Sequence, residues 1–356
     1  MVWVSQLAVK DLRILREVDI SLHPRLNVFT GGNAQGKTSL LEALGVLARG
    51  RSFRTDSAGN LIRRGADGLR ARATAGEDGH FADLEVAIAT DERRFTVDGR
   101  PVPPREYNGR LEVVVYSSDR LRVVRGTMRD RRQFFDRSAA ALWPAYRALL
   151  RDFERVLLQR NRALRDGSFD LPVWTERLAE LAARVRHRRA AYVARLSAAL
   201  QAGFRPLHEH YEVTVEPLSA SDEPAERDAL LEELRRLTPR ERVAGRSLAG
   251  PHRDAIRLLI DGRDAALEAS AGQARSLLLA LALATLKVYE EETGRAAVAL
   301  LDDLDSELDP ERASDLCAEV VRRGQAFVTS AHPHWAESLR PIGHVFQVAA
   351  GTVRCA

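Results

Sequence analysis

The chain has 356 residues, 45% hydrophobic and 29% charged, which suits about two folded domains and excludes a wholly disordered polymer. Its two cysteines, Cys317 and Cys355, exclude a disulfide framework and fit no zinc-ligand spacing, so a reducing cytoplasmic compartment is expected. No uncharged apolar run reaches ~18 residues, and Met1-Val2-Trp3 opens no basic-then-apolar leader, so neither a membrane span nor a signal peptide is expected.

Val2-Trp3-Val4 and Val18-Asp19-Ile20-Ser21-Leu22 read as short strands. Leu26-Asn27-Val28-Phe29-Thr30 reads as a buried strand that runs straight into Gly31-Gly32. After Thr38 the period turns helical, with Leu40, Leu41, Leu44 and Leu47 three or four apart. Residues 68–102 read as an antiparallel meander turned by Asp98-Gly99, and Leu111 to Tyr116 as a further buried strand. From about Leu142 two apolar stripes predict a helical hairpin. Leu142, Tyr146, Leu149, Phe153, Val156 and Leu164 form the first, and Trp174, Leu178, Leu181, Val185, Tyr192, Leu196 and Leu200 the second. Asp166-Gly167-Ser168 breaks them apart, and Pro206 with His208-Glu209-His210 ends the hairpin; the His-x-His reads as a surface feature. Tyr211 to Val215 and Ala255 to Ile260 return to strand, with a charged helix over 221–243 between them. A strongly apolar helix follows over 272–291, then apolar strands at Ala297 to Leu301 and Ala326 to Thr329. The expected fold is an α/β head, residues 1–118 and 211–356, interrupted by an all-helical arm, residues 119–210.

Charge follows the same division. Residues 119–210 hold twenty arginines against ten acidic residues, in a chain whose net charge is only +4. The arm is basic and the remainder acidic. Such a segment reads either as solvated helix faces or as a footprint for a phosphate backbone.

Gly31-Gly32-Asn33-Ala34-Gln35-Gly36-Lys37-Thr38 matches G-x-x-x-x-G-K-[ST] between a strand and a helix, the setting a phosphate-binding P-loop requires. The glycines let backbone N–H groups turn inward, and the helix offers its positive end to the same place. Lys37 is the candidate for the β- and γ-phosphates of ATP and Thr38 for Mg2+, with Ser39 next in the nucleotide-binding first turn. Asp302 and Asp303 follow four apolar residues at the end of a buried strand. Asp302 is expected to hold Mg2+, and Asp303 to orient or deprotonate the attacking water.

Ser270-Ala271-Gly272-Gln273, just ahead of the apolar helix, is similar to the S-x-G-Q signature of ABC ATPases. Ser306-Glu307-Leu308-Asp309 resembles the D-loop, and Thr329-Ser330-Ala331-His332 the switch position, where His332 is the candidate for a hydrogen bond to the γ-phosphate. Three further runs, Arg51-Ser52-Phe53-Arg54-Thr55, Gly126 to Asp136 and Gly250-Pro251-His252-Arg253-Asp254, complete the picture. Together these resemble the RecF family of the ABC/SMC-type ATPases over nearly the whole chain.

That resemblance implies an ABC-type P-loop ATPase head: a mixed sheet with flanking helices and an antiparallel β subdomain. It implies an ATP-dependent homodimer in which Ser270, Gly272 and Gln273 of one copy complete the P-loop of the other. It also implies weak DNA-dependent ATPase activity with Mg2+, and DNA binding at single-strand/double-strand junctions and gapped duplex. Repair and replication roles with RecO and RecR in the nucleoid, and no membrane partner, follow from it too. Two departures stand out. Asp303 sits where many ABC enzymes have Glu, so slow hydrolysis is expected, although the Asp-Asp pair is usual in RecF-like sequences. No Q-loop glutamine follows Tyr116, and Gln133 lies far along. Three alternatives stay open: an ABC transporter nucleotide-binding subunit, an SMC-like structural ATPase with negligible turnover, and a P-loop kinase. The first predicts no basic arm, the second no effect of Asp303→Asn on ATP consumption, and the third no dependence on dimerisation.

Overall fold

Five consecutive buried residues, Leu26–Thr30, can only sit deep in a sheet covered on both faces. A computed structural model of the chain places them so. It describes every residue except Met1, Asp56, Asp78, Asp91, Arg205, Pro206, His208, Glu209, 217–221, Glu307 and Ala356, and only the backbone of Glu77 and Ser306. Thus the His208-Glu209 part of the His-x-His run and Glu307 of the D-loop-like run lie outside the described residues.

The chain divides into two compact units. The first comprises Met1–Leu121, Gly203–His208 and Arg275–Ala356, the second Arg122–Ala202 and Glu209–Ala274. In the first unit, Leu26–Thr30 lies within a six-stranded sheet. Its order is Thr352–Cys355, Gly343–Ala349, Leu26–Thr30, Ala326–Ser330, Val298–Leu301, Val113–Tyr116. All pairings are parallel except that of the outer hairpin. A second sheet is antiparallel throughout, in the order Leu15–Ser21, Trp3–Leu12, Gly68–Glu77, His80–Ala89, Arg93–Val97, Arg100–Pro101. Its Asp98-Gly99 turn has positive φ at both residues, as a tight hairpin of right-handed twist needs.

The helix Lys37–Arg49 packs on strands of both sheets and is buried almost all round; Leu40, Leu41, Leu44 and Leu47 are fully covered. Gln325 ties the sheets together from below. Its Oε1 accepts from Val4 N at 2.8 Å, and its Nε2 donates to the carbonyls of Val4 and His23 at 2.8 Å each.

The second unit contains the helices Met128–Leu142, Pro144–Asp166, Leu171–Gln201 and Glu223–Ala244, and a three-stranded antiparallel sheet of Tyr211–Glu216, Ala255–Ile260 and Arg263–Asp264. The hairpin helices lie where the two stripes put them, and the stripe residues from Tyr146 to Leu164 and Leu178 to Leu200 are buried. This unit extends past the expected 119–210 arm. It takes in Tyr211 to Ala274, because buried acids there pair with arginines of the hairpin. Arg186 meets Asp254 at 2.7 Å and Glu226 at 2.8 Å, Arg160 meets Glu241 at 2.7 Å, and Arg189 meets Asp254 at 3.4 Å. Arg131 is 1% exposed and donates to the carbonyls of Val123, Val124 and Ile256. Paired charges leave no hydrophobic period, so this part of the packing is silent in sequence. The helix Met128–Leu142 is likewise unanticipated; its start is a capping box between Thr127 and Asp130.

The helix Ala271–Thr293 is long and apolar enough to cross a membrane by length and composition, and 61% of that stretch is buried, as in a core helix.

Candidate nucleotide-binding site

Four parallel strands, Leu26–Thr30, Ala326–Ser330, Val298–Leu301 and Val113–Tyr116, end at one edge of the sheet, where ligands bind in such folds. Each hands a polar residue to that edge. The first continues into the loop Gly31 to Gly36. Gly31 has φ 152°, and a Cβ there would lie 2.2 Å from the carbonyl oxygen of Val348, so only glycine fits. Gly36, at φ 112°, is packed against Leu15 and Ile14, leaving a Cβ 3.0 Å from one and 3.1 Å from the other. Gln35 anchors the outer side of the loop, accepting from Ala350 N at 2.6 Å and, through its carbonyl, from Gly351 N at 3.0 Å. Gly32, Asn33 and Ala34 stay exposed at the rim, and Ser39 is buried in the first helical turn.

Lys37 is 5% exposed, and its Nζ donates to the carbonyls of Gly31 at 2.7 Å and Gly32 at 3.0 Å. The ammonium is thus held within the curl of the loop. Thr38 Oγ1 donates to Asp302 Oδ1 at 2.9 Å, Thr329 Oγ1 to the same oxygen at 2.7 Å, and Ser117 Oγ to Asp302 Oδ2 at 3.1 Å. Three hydroxyls, one from the first turn of the helix Lys37–Arg49 and two from strand ends, therefore converge on one buried carboxylate. Asp303 takes a left-handed backbone, φ 50°, with its N–H donating to Thr329 Oγ1 at 2.7 Å. A non-glycine residue held there is strained, and such strain concentrates at working sites.

Burial raises the pKa of Asp302 above the ordinary 3.8, and the adjacent charge of Asp303 adds to it; the hydroxyl bonds oppose both. The folded state therefore holds this proton more tightly than the unfolded chain, so the site's contribution to stability falls as pH rises from 3.8 through the raised value. At neutral pH the charge opposes folding. Asp302→Asn keeps hydroxyl partners and removes that charge. In differential scanning calorimetry it is expected to raise the unfolding temperature of the nucleotide-free chain by about 2 °C. An unchanged or lower temperature would contradict this account.

Mg2+ suits these donors. Among the described residues no cluster of three or more His, Cys, Asp or Glu forms a protein-only cage. One carboxylate with neighbouring hydroxyls is the hard, incomplete oxygen set that shares Mg2+ with phosphate.

Ser117 and Thr329 are site residues to which the sequence reading gave no role at Asp302, although Thr329 opens the switch-like run. Ser117 stands directly after the strand where a Q-loop glutamine was sought, while Gln133 is exposed on its helix in the second unit. Their only signal is a hydroxyl at the end of an apolar strand. The Arg51–Thr55 run closes over the P-loop helix: Ser52 Oγ donates to buried Glu42 and accepts from the backbone N–H of Arg54 and Thr55. Arg13 clamps the same Glu42 with two bonds of 2.9 Å, and Arg54 reaches Asp119 at 2.5 Å. His332 follows Ala326–Ser330, its side chain exposed.

Ser270, Gly272 and Gln273 belong to the second unit. Ser270 Oγ accepts from Gln273 N at 3.2 Å, and Gln273 Oε1 accepts from Ser270 N at 3.0 Å. The signature run is therefore a capping box, and its tip, Ser270 to Gly272, is exposed.

Residues 3–354 match the family model of the RecF/RecN/SMC N terminal domain. The DNA replication and repair protein RecF of Symbiobacterium thermophilum is 36% identical, across 99% of this chain and 98% of its own length. That of Cyanothece sp. (strain PCC 7425) is 34% identical, across 99% and 97%. The chain belongs to the RecF family. The ATP-bound structure of the recombination mediator RecF in the RecFOR pathway superposes with a TM-score of 0.90 at 25% identity, covering 100% of this chain and 99% of that one. An Smc head domain from Pyrococcus furiosus shares the fold with a TM-score of 0.58 at 13% identity, covering 100% and 96%. This RecF-family chain thus has the ABC-type ATPase head: a mixed α/β sheet beside an antiparallel one. The transporter-subunit and kinase readings fall with that assignment.

Proposed function

We propose that the chain is an ATP-gated DNA clamp. Two copies close on ATP and Mg2+, hold DNA at single-strand gaps and junctions with RecO and RecR, and reopen after slow hydrolysis. The observation that carries this reading is the convergence of Thr38, Ser117 and Thr329 on Asp302 beside the Lys37 loop, in a chain whose signature tip is exposed. RecF relatives are named for DNA replication and repair, and a RecF structure for the RecFOR pathway and ATP. A cytoplasmic, nucleoid-associated location follows from that work.

The division of labour follows from the residues. The loop N–H groups and Lys37 take the phosphates of the triphosphate. Thr38 and Asp302 hold Mg2+, which supplies positive charge to the phosphate oxygens. Asp303 orients or deprotonates water; its short side chain sets that carboxylate back and slows turnover. The exposed Ser270 tip offers a helix start to the γ-phosphate of a second copy, so nucleotide binding and dimerisation share one free energy.

The structure sorts the arginines of the arm. Arg131, Arg160, Arg186 and Arg189 are buried on internal partners and unavailable to DNA. Arg184, Arg188 and Arg195 are exposed and spaced to share one face of Leu171–Gln201, and no acidic residue occurs from Leu181 to Gln201. Arg188 and Arg195 also lie over the Trp143 ring, at 5.9 and 5.4 Å from its centre. Sedimentation with ATP, ADP or no nucleotide, each with duplex, single-stranded and gapped DNA, tests the clamp; association independent of ATP would refute it. DNA affinity should fall steeply between 50 and 200 mM salt. The triple Arg184→Ala/Arg188→Ala/Arg195→Ala variant should lower the salt slope by up to about 0.9 per lost phosphate contact. An unchanged slope would place the DNA elsewhere.

A further inference from the structure

Two residues beyond the acidic pair lies a further carboxylate, Asp305. The Asp305 side chain is 3% exposed, in the tight turn Leu304–Ser306. Its Oδ2 accepts from His332 Nδ1 at 2.8 Å and from Ser330 Oγ. Its Oδ1 is buried and has no hydrogen-bond partner among the described residues. Ser330 Oγ also accepts from the His332 backbone N–H at 2.9 Å. The His332 ring is otherwise open, its side chain 66% exposed.

We propose that Asp305 is the positioning residue of His332, fixing both the angle of the ring and the nitrogen that carries its proton. An ionised carboxylate only accepts, so the imidazole nitrogen facing it must donate. In the neutral ring the proton then sits on Nδ1, and Nε2 presents a lone pair. A buried carboxylate with one oxygen unsatisfied is costly, so the bonds to its other oxygen are not easily given up. Ser330 pins the backbone of His332 to the same anchor, leaving the ring little freedom about its side-chain torsions. A carboxylate behind a histidine sets the tautomer in the same way wherever a ring nitrogen must meet a reacting group in one orientation.

This inference rests on the ATPase reading for its consequence: a fixed ring delivers Nε2 to the phosphate end of the site. A merely structural Asp305 would tie the turn to the strand and leave the ring indifferent. The isosteric Asp305→Asn separates the two, because an amide can donate to Nδ1 and drive the proton to Nε2.

The experiment is nitrogen-15 NMR of the full chain labelled at histidine, without nucleotide, with the His332 signal assigned through His332→Gln. The expected result is the Nδ1–H tautomer in the native chain and its loss in Asp305→Asn. ATP affinity should stay within about threefold, while kcat for ATP falls on the order of 10-fold or more, the usual scale for groups that orient a working residue. The double variant Asp305→Asn/His332→Gln should be no slower than His332→Gln alone. An Nε2–H tautomer in the native chain overturns the proposal without needing any variant to fold. So does an unchanged tautomer in Asp305→Asn, or additive losses in the double variant. A native chain that hydrolyses no ATP would sink the ATPase reading instead, and the NMR result would still decide on Asp305.

Discussion

Lys37→Ala is expected to abolish dimerisation at saturating ATP. The ammonium is buried within the loop, held by two carbonyls at 2.7 and 3.0 Å, and in the proposed mechanism is the point charge nearest the phosphates. A charge-assisted contact of this kind contributes roughly 1.5–3 kcal/mol, a factor of about 10 to 100 in affinity. A symmetric dimer contains two such sites, so the loss enters the association constant twice, on the order of 10²- to 10⁴-fold. Sedimentation velocity at fixed chain concentration, with and without ATP, reads the effect directly. Native-like dimer formation by the variant would detach assembly from the loop altogether.

Ser270→Arg is expected to leave ATP binding within about twofold and still prevent dimerisation. Loss of the cap weakens the helix start by only about 1 kcal/mol, too little to unfold the chain. The added bulk and the lost hydroxyl act on the exposed tip. Mixing gives the sharper test. In a heterodimer of Lys37→Ala and Ser270→Arg chains, one composite site carries both lesions and the other carries none. Mixed chains should therefore dimerise with ATP although neither variant does alone. No recovery on mixing would mean that the loop and the tip serve the same chain, and the clamp mechanism would fail.

The parts of the site legible in sequence are those that are contiguous there. The loop from Gly31 to Thr38 announces itself because its backbone must curl in a way that needs glycine at fixed offsets, and Asp302 because a four-residue apolar strand precedes it. Ser117 and Thr329 contribute as much to the geometry yet are isolated hydroxyls on separate strands. Only the parallel pairing of those strands brings them to one carboxylate. The arm shows the opposite failure. Its helices follow from their apolar stripes, but twenty arginines look alike in sequence. Burial alone distinguishes Arg186, locked between Asp254 and Glu226, from Arg188, lying over Trp143. Asp305 is illegible in sequence for a related reason, since its meaning depends on a histidine just past the next strand.

The reciprocal bonds between Ser270 and Gln273 have a kinetic consequence. A recognition element that must fold as it docks loses conformational freedom at the moment of encounter, which weakens the complex it forms. Here the helix start is finished beforehand, each side-chain oxygen standing in for an anion to which the backbone N–H at the other end of the bond could donate. In the proposed clamp, engagement would therefore exchange one set of partners for another rather than create order, and the lifetime of the closed pair would be left to the chemistry of the bound nucleotide.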